Sequence, residues 1–367
     1  MTGPRGADVV VLLGTSWHAL ESHNTRWRAV LQLWADDARV ARLRVVDFPA
    51  LSIKRALGPK AAPETTWDPR IGATRAVVAV RPQAHAWDRL AWRATGRSLD
   101  RALPPSGGRR CVVAATPLWA PVLPWMAADR RGFDAVDDWR FLASMRRAQS
   151  QVIAGYRAAA TVDVATSVSA ALAARLGDDF GIACRTVPNG VDVERFRDPS
   201  WAAGPDVPNG PFAVYVGVVE NRVDIGLLAA ARRVMPVVVA GPADDATAAE
   251  LAANGITWLG PVDQASVPSL LRSAAVGLLP HKDNALTASM DPMKAREYLA
   301  AGLAIVTSVG LPDDCVSPRV ALAASPDAFA TAVERAQSLP ALRGPDPDVR
   351  HRSWRTVADE LLACHLG

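Results

Sequence analysis

Short apolar runs bounded by turn residues alternate along this chain with segments whose apolar positions recur every three to four residues. That alternation is the pattern of βαβ units and parallel sheets. In the first half it predicts strands at Val9–Leu13, Leu43–Val46, Ala76–Val80, Cys111–Ala115, Phe133–Val136 and Val162–Thr166. Between the first two, Trp27, Val30, Leu31 and Trp34 fall on one helical face. Residues 53–75 are polar and contain proline, and read as a loop. A second set of strands is expected at 212–218, 237–240, 256–259, 275–279 and 304–307, with helices near 225–234, 246–253, 266–274 and 293–301. A last helix runs from Trp354 to Cys364. Residues 197–210 read as a linker, and Asn189-Gly190 as a turn. The expected class is α/β: two doubly wound parallel-sheet domains facing a central cleft, with ligands beyond the strand C-termini.

Composition narrows this. At 367 residues and 50% hydrophobic, the chain can bury a core large enough for two domains. A net charge of +4 with no basic, aromatic-interleaved run argues against nucleic-acid binding. The basic residues are nearly all arginine; the lysines are Lys54, Lys60, Lys282 and Lys294. Such usage fits a GC-rich bacterial genome and gives weight to two lysines at the edges of one motif. The four cysteines (Cys111, Cys184, Cys315 and Cys364) lack metal or disulfide-scaffold spacing and read as free thiols of a reducing cytosol. No secretory pattern opens the chain, which points to a cytoplasmic protein. The uncharged run Cys111 to Ala128 is interrupted by Pro117, Pro121 and Pro124, which would break a spanning helix. It reads as a buried strand followed by a loop in which Trp119 and Trp125 either pack or make a peripheral membrane contact.

Several chemistries are missing. Neither Gly14 nor Gly217 begins a GxGxxG fingerprint, and there is no Walker loop, HExxH or GxSxG. Asp346-Pro-Asp348 lies in a proline-rich tail, a poor metal site. What the chain does have is Thr287 to Ser308, TASMDPMKAREYLAAGLAIVTS. Asp291 is a suitable N-cap, and Pro292 suits the first helical position. Lys294 and Glu297 then share one face, with Tyr298 beside them. A helix N-terminus with an adjacent lysine attracts a diphosphate, and a carboxylate one turn deeper can accept from ribose hydroxyls.

Six blocks in order, VPNGVDVERF (187–196), FAVYVGVVENRVD (212–224), PVVVAGP (236–242), ITWLGPV (256–262), PSLLRSAAVGLLPHKDN (268–284) and LTASMDPMKAREYLAAG (286–302), resemble the C-terminal half of GT-B nucleotide-sugar glycosyltransferases. The likeness is to the family 4-like group that includes teichuronic-acid-type enzymes. SWRTVADELL (353–362) resembles the terminal helix that such enzymes fold back onto the first domain. N-terminal similarity is thinner, in residues 12–31 and 133–142. The implied organisation is an acceptor-binding Rossmann-like domain over 1–186, a donor-binding one over 187–345 and a returning helix over 346–367.

The resemblance implies roles residue by residue. Glu297 matches the ribose-holding glutamate, Lys294 a diphosphate contact, and Arg222 the arginine after the first strand of the donor domain. Each could instead be a surface charge. The lysine usual shortly after Arg222 is missing, since Asp224 and Gly226 occupy that region. Val262 and Met293 could flank the base, and Gly217, Thr287 and Ser289 complete the donor set. Ser289 stands where retaining family members carry a second acidic residue, whereas Met293-Lys294 resembles an inverting subgroup. Inversion requires a general base, for which Asp137 or Asp138 after a first-domain strand is placed, unless they cap a helix. His18, His23 and Trp17 follow the first strand and are the acceptor-side candidates, with ordinary structural roles as the alternative. The expected activity is metal- and cofactor-independent transfer of a sugar from a nucleoside diphosphate to a saccharide, lipid-linked or small-molecule hydroxyl. Epimerisation or hydrolysis of the nucleotide sugar, or an inactive partner protein, are the competing readings.

Overall fold

A computed structural model describes residues 6–15, 25–47, 70–74, 85–105, 107–197, 207–342 and 344–367. The chain divides into two compact units. The first comprises Met1–Pro188 with Arg355–Gly367, and the second Asn189–Trp354.

In the first unit the described elements run β1 (Ala7–Leu12), α1 (Arg26–Ala35), β2 (Val40–Val46), β3 (Ile71–Thr74), α2 (His85–Ala102), β4 (Arg110–Ala114), β5 (Arg130–Ala135), α3 (Gln149–Ala159), β6 (Val164–Ser167), α4 (Ala170–Phe180) and β7 (Cys184–Thr186). All pairings are parallel, in the order β3-β2-β1-β4-β5-β6-β7. The strands β1 and β4 are buried at every position, as a sheet covered on both faces requires. The predicted stripe on α1 is buried at Trp27, Val30, Leu31 and Trp34, and Thr25 caps the helix by accepting from the Arg28 N–H at 3.2 Å. Ser169 caps α4 in the same way, and Gly181 closes it in the left-handed region.

Two expectations change here. The segment read as a loop contains β3, a short strand whose four residues are too few to show a period. Ala76–Val80 lies outside the described residues. The proline-rich segment Pro117–Trp125 forms a 3-10 run, because prolines preset φ and its N-terminal Thr116 caps it through the Leu118 N–H. Trp119 is fully buried and donates from Nε1 to the Leu13 carbonyl at 3.1 Å, so it belongs to the core and not to a membrane contact. Among the described residues no helix is long and apolar enough to cross a membrane.

In the second unit the order continues α5 (Glu194–Arg197), β8 (Ala213–Val216), α6 (Ile225–Arg232), β9 (Val237–Ala240), α7 (Asp245–Ala253), β10 (Thr257–Trp258), α8 (Val267–Ser273), β11 (Val276–Leu279), α9 (Met293–Ala300), β12 (Ala304–Thr307), β13 (Val320–Leu322) and α10 (Pro326–Gln337). Its sheet order is β10-β9-β8-β11-β12-β13, again all parallel. The strand order reverses between β8 and β11, the switch point where open α/β sheets bind ligands. Of the presumed linker, residues 198–206 lie outside the described residues, and the flanks belong to the second unit.

The closing helix α11 (Trp354–Leu366) packs mostly within the first unit. The Trp34 Nε1 donates to the Ala358 carbonyl at 2.9 Å, and the buried Cys111 thiol donates to the His365 carbonyl at 3.2 Å. A Cβ on Gly132 would meet the His365 ring at 2.2 Å, which explains glycine in the middle of β5.

Candidate functional site

The second unit gathers its candidate residues at the β8–β11 switch point. Gly217 follows β8 with φ of 148°, a conformation open to glycine. A Cβ there would lie 2.0 Å from Lys294 Cε, so the lysine stem lies directly over the end of the strand. Gly241, at the end of β9, has a φ of 145°, and its absent Cβ would meet the Gly217 carbonyl at 2.2 Å. Both glycines are therefore required by close approach of backbone and lysine.

Helix α9 starts one residue later than expected. Pro292 occupies the capping position and no side chain caps the helix. Asp291 is not the cap, because its buried carboxylate is held by Arg296 at 3.0 Å and by the Asn189 N–H at 2.5 Å. Burial nonetheless raises the Asp291 pKa, against the pull of Arg296. Tyr298 is fully buried, accepts the Val216 N–H at 2.8 Å, and lies against Gly277, where a Cβ would be 2.4 Å from its ring. The tyrosine thus fixes the helix to the two strands that define the switch point. Lys294 and Glu297, three residues apart on α9, remain half-buried.

Electrostatically the site is crowded with cations. Burial depresses the Lys294 pKa, nearby Arg222 adds to the effect, and Glu297 and Glu220 oppose it. The ammonium lies 5.8 Å from the Tyr215 ring centroid. Arg222 pairs with Glu220 at 2.5 Å and reaches the Met290 sulfur at 3.8 Å. His281, which no motif singles out, follows β11 and is buried beside these groups. Its pKa falls to about 3, chiefly through burial and then through Lys294 and Arg222. Its signal in the sequence was its place: a histidine in LLPHKDN, two residues beyond a strand end at the switch point.

The remaining donor candidates have more local tasks. The Thr287 hydroxyl donates to the Lys282 carbonyl at 2.6 Å, and Ser289 donates to Leu286 at 3.0 Å and Ala285 at 3.2 Å. These bonds shape the turn before α9. Val262 packs against the apolar cluster that includes Val238 and Ala240, and Met293 is half-buried in the first turn of α9.

Within the first unit, Asp137 and Asp138 follow β5 and differ sharply. Asp138 is fully buried, caps the 3-10 turn Trp139–Phe141 through the Arg140 N–H, and pairs with Arg140 at 2.7 Å and Arg175 at 3.6 Å. Its carboxylate is thereby engaged in capping and ion pairing, the structural alternative to a general base. Asp137 is half-buried, and its carbonyl accepts from the Tyr156 hydroxyl at 3.3 Å. Trp17, His18 and His23 lie outside the described residues.

Residues 211–338 match the family model of Glycosyl transferases group 1. The whole chain superposes on sucrose-phosphate synthase from Thermosynechococcus elongatus with a TM-score of 0.68 at 14% identity, covering 97% of this chain and 98% of that one. HepE of Anabaena, solved with UDP and glucose, gives 0.64 at 11% identity, with 97% and 98% covered. The chain has the GT-B fold. It is also 26% identical over 133 residues to TuaH of Bacillus subtilis, described as a teichuronic acid biosynthesis glycosyltransferase, covering 33% of each chain. The match thus spans about a third of that relative's length. Its GT-B architecture and the group 1 match over the second unit agree with the class expected from the six sequence blocks.

Proposed function

We propose that this chain is a glycosyltransferase that takes a nucleoside-diphosphate sugar at the switch point of its second unit. The observation that carries the reading is Lys294 lying over Gly217, with Arg222 alongside and Glu297 one turn further along α9. These cations and the uncapped start of α9 would hold the diphosphate and stabilise it as it departs. Glu297 would accept from the ribose hydroxyls. Val262 and Met293 would flank the base. No metal is needed for this charge balance.

The acceptor would be a saccharide, lipid-linked or small-molecule hydroxyl. Ser289 in place of a second acidic residue, together with the Met293-Lys294 pair, favours inversion with Asp137 as the base. Trp17, His18 and His23 remain the acceptor-side candidates.

The experiment is a thermal-shift screen of nucleotide sugars and nucleoside diphosphates, since a ligand of the native state raises Tm. At least one should raise it, and the anomeric configuration of the product formed from that sugar then reads retention or inversion. No shift and no binding across UDP, GDP, ADP and TDP derivatives would end the reading.

A further inference from the structure

Resting on that reading, we propose that His281 is a third diphosphate contact, an imidazole that takes up a proton from solvent as a nucleoside diphosphate settles on Lys294 and Arg222.

The geometry comes first. His281 is 3% exposed, and its Nδ1 is buried without a hydrogen-bond partner. Its backbone is pinned on both sides. The Lys282 N–H donates to the Arg222 carbonyl at 2.8 Å and the Asp224 N–H to the Pro280 carbonyl at 2.7 Å, an antiparallel bridge that seats His281 opposite Val223. The Ser308 hydroxyl donates to the His281 carbonyl at 2.5 Å. The segment carrying the imidazole is therefore laced to the segment carrying Arg222.

An apolar side chain would fill this place without the cost of burying an unpartnered ring nitrogen. Two charged groups act on the ring, from two different elements. Lys294 projects from α9 and Arg222 from the loop after β8; both push the imidazole toward neutrality. Glu297 and Glu220 balance Lys294 in part, while Lys282 and Asp283 lie on the same loop as His281. A diphosphate bound to Lys294 and Arg222 reverses the sign of the nearest charge and favours the imidazolium. Binding and protonation are then linked, and the third positive charge appears only with its anion.

The test is calorimetry of UDP binding at pH 7 in buffers of different ionisation enthalpy, for wild type and for His281→Gln. Comparing the two removes the ionisation of UDP itself. Wild type should take up protons in excess of the variant, and its affinity should fall up to about tenfold per pH unit as pH rises toward the bound-state pKa, levelling off above it, more steeply than the variant's. Ring NMR signals of His281 in the wild-type protein, assigned from His281→Phe, give an independent readout if His281→Gln folds poorly. A shift toward imidazolium on adding UDP supports the proposal. Equal proton uptake by wild type and variant, or a neutral ring in the complex, overturns it while leaving nucleotide binding intact. No binding of UDP, GDP, ADP or TDP overturns the functional reading and this inference together.

Discussion

The buried charges of the first unit and those at the β8–β11 switch point of the second are arranged differently, although the second unit also holds one matched buried pair, Asp291 with Arg296. In the first unit each buried carboxylate has its cation. Arg26 on α1 meets Asp134 on β5 at 3.0 Å and also donates to the Val187 carbonyl at 2.8 Å. Asp134 further accepts from Thr166 at 2.7 Å, and Asp138 is held between Arg140 and Arg175. In the second unit, Lys294, Arg222 and His281 gather around the end of β8, and the pKa values of Lys294 and His281 are depressed there. Matched charges of the first kind hold a fold together. Two cations set beside a neutral imidazole and only partly balanced by Glu220 and Glu297 cost stability, which is a mark of functional sites and fits the proposed anion site.

Breaking a matched pair should give the largest effect. Arg26→Ala strands the Asp134 carboxylate in the first core and should lower unfolding free energy by about 3–5 kcal/mol, measured by urea denaturation. Nucleotide affinity per folded molecule should be unchanged, because the second unit keeps its residues.

Acid should expose both units, to a smaller degree. His365 in the first unit has its pKa lowered to about 4 and His281 in the second to about 3, both mainly by burial. Unfolded histidines titrate at about pH 6.5, so below that pH the unfolded chain binds more protons than the native one. Stability from these groups is therefore present above about pH 6.5 and lost as pH falls toward the folded-state values, at up to ~1.4 kcal/mol for each pH unit crossed. His365→Phe should flatten the acid limb of the first unit's unfolding if the ring is accommodated against Gly132. A limb of unchanged slope in a well-folded variant would remove His365 from the account.

A finer effect is expected at Gly217. Gly217→Ala places a methyl where Lys294 Cε now sits, in a φ region that alanine rarely adopts. Nucleotide affinity should drop about tenfold by calorimetry, with the fold retained. Full affinity would mean that the lysine's position over β8 is incidental.

Much of this was legible from residue patterns. The strands at 237–240 and 304–307 appear at the predicted residues, because continuous Val, Ile and Ala runs between turns have few other solutions in a parallel sheet. The stripe on α1 and the Lys294–Glu297 pair on α9 followed from helical spacing. What escaped were properties set by distant partners. Asp291 looks like a cap until Arg296 and Asn189 claim it, and the pairing of Asp138 with Arg140 and Arg175 does not show in the sequence. β3 and β7 are too short to show a period. Trp119 in a run of prolines offered no clue to the Leu13 carbonyl it bonds. His281 carried no motif, and only the strand order makes its place meaningful.

On the proposed function, Lys294 and Arg222 of the second unit receive a nucleoside diphosphate. This is tested most directly by calorimetry of UDP and the other nucleoside diphosphates on wild type and Lys294→Met, alongside their melting temperatures. Wild type should bind, Lys294→Met should lose roughly 10–100-fold in affinity, and the unliganded Tm of the variant should lie at or above that of wild type. Equal affinity in the two proteins, or a variant that binds normally but melts early, would contradict that assignment.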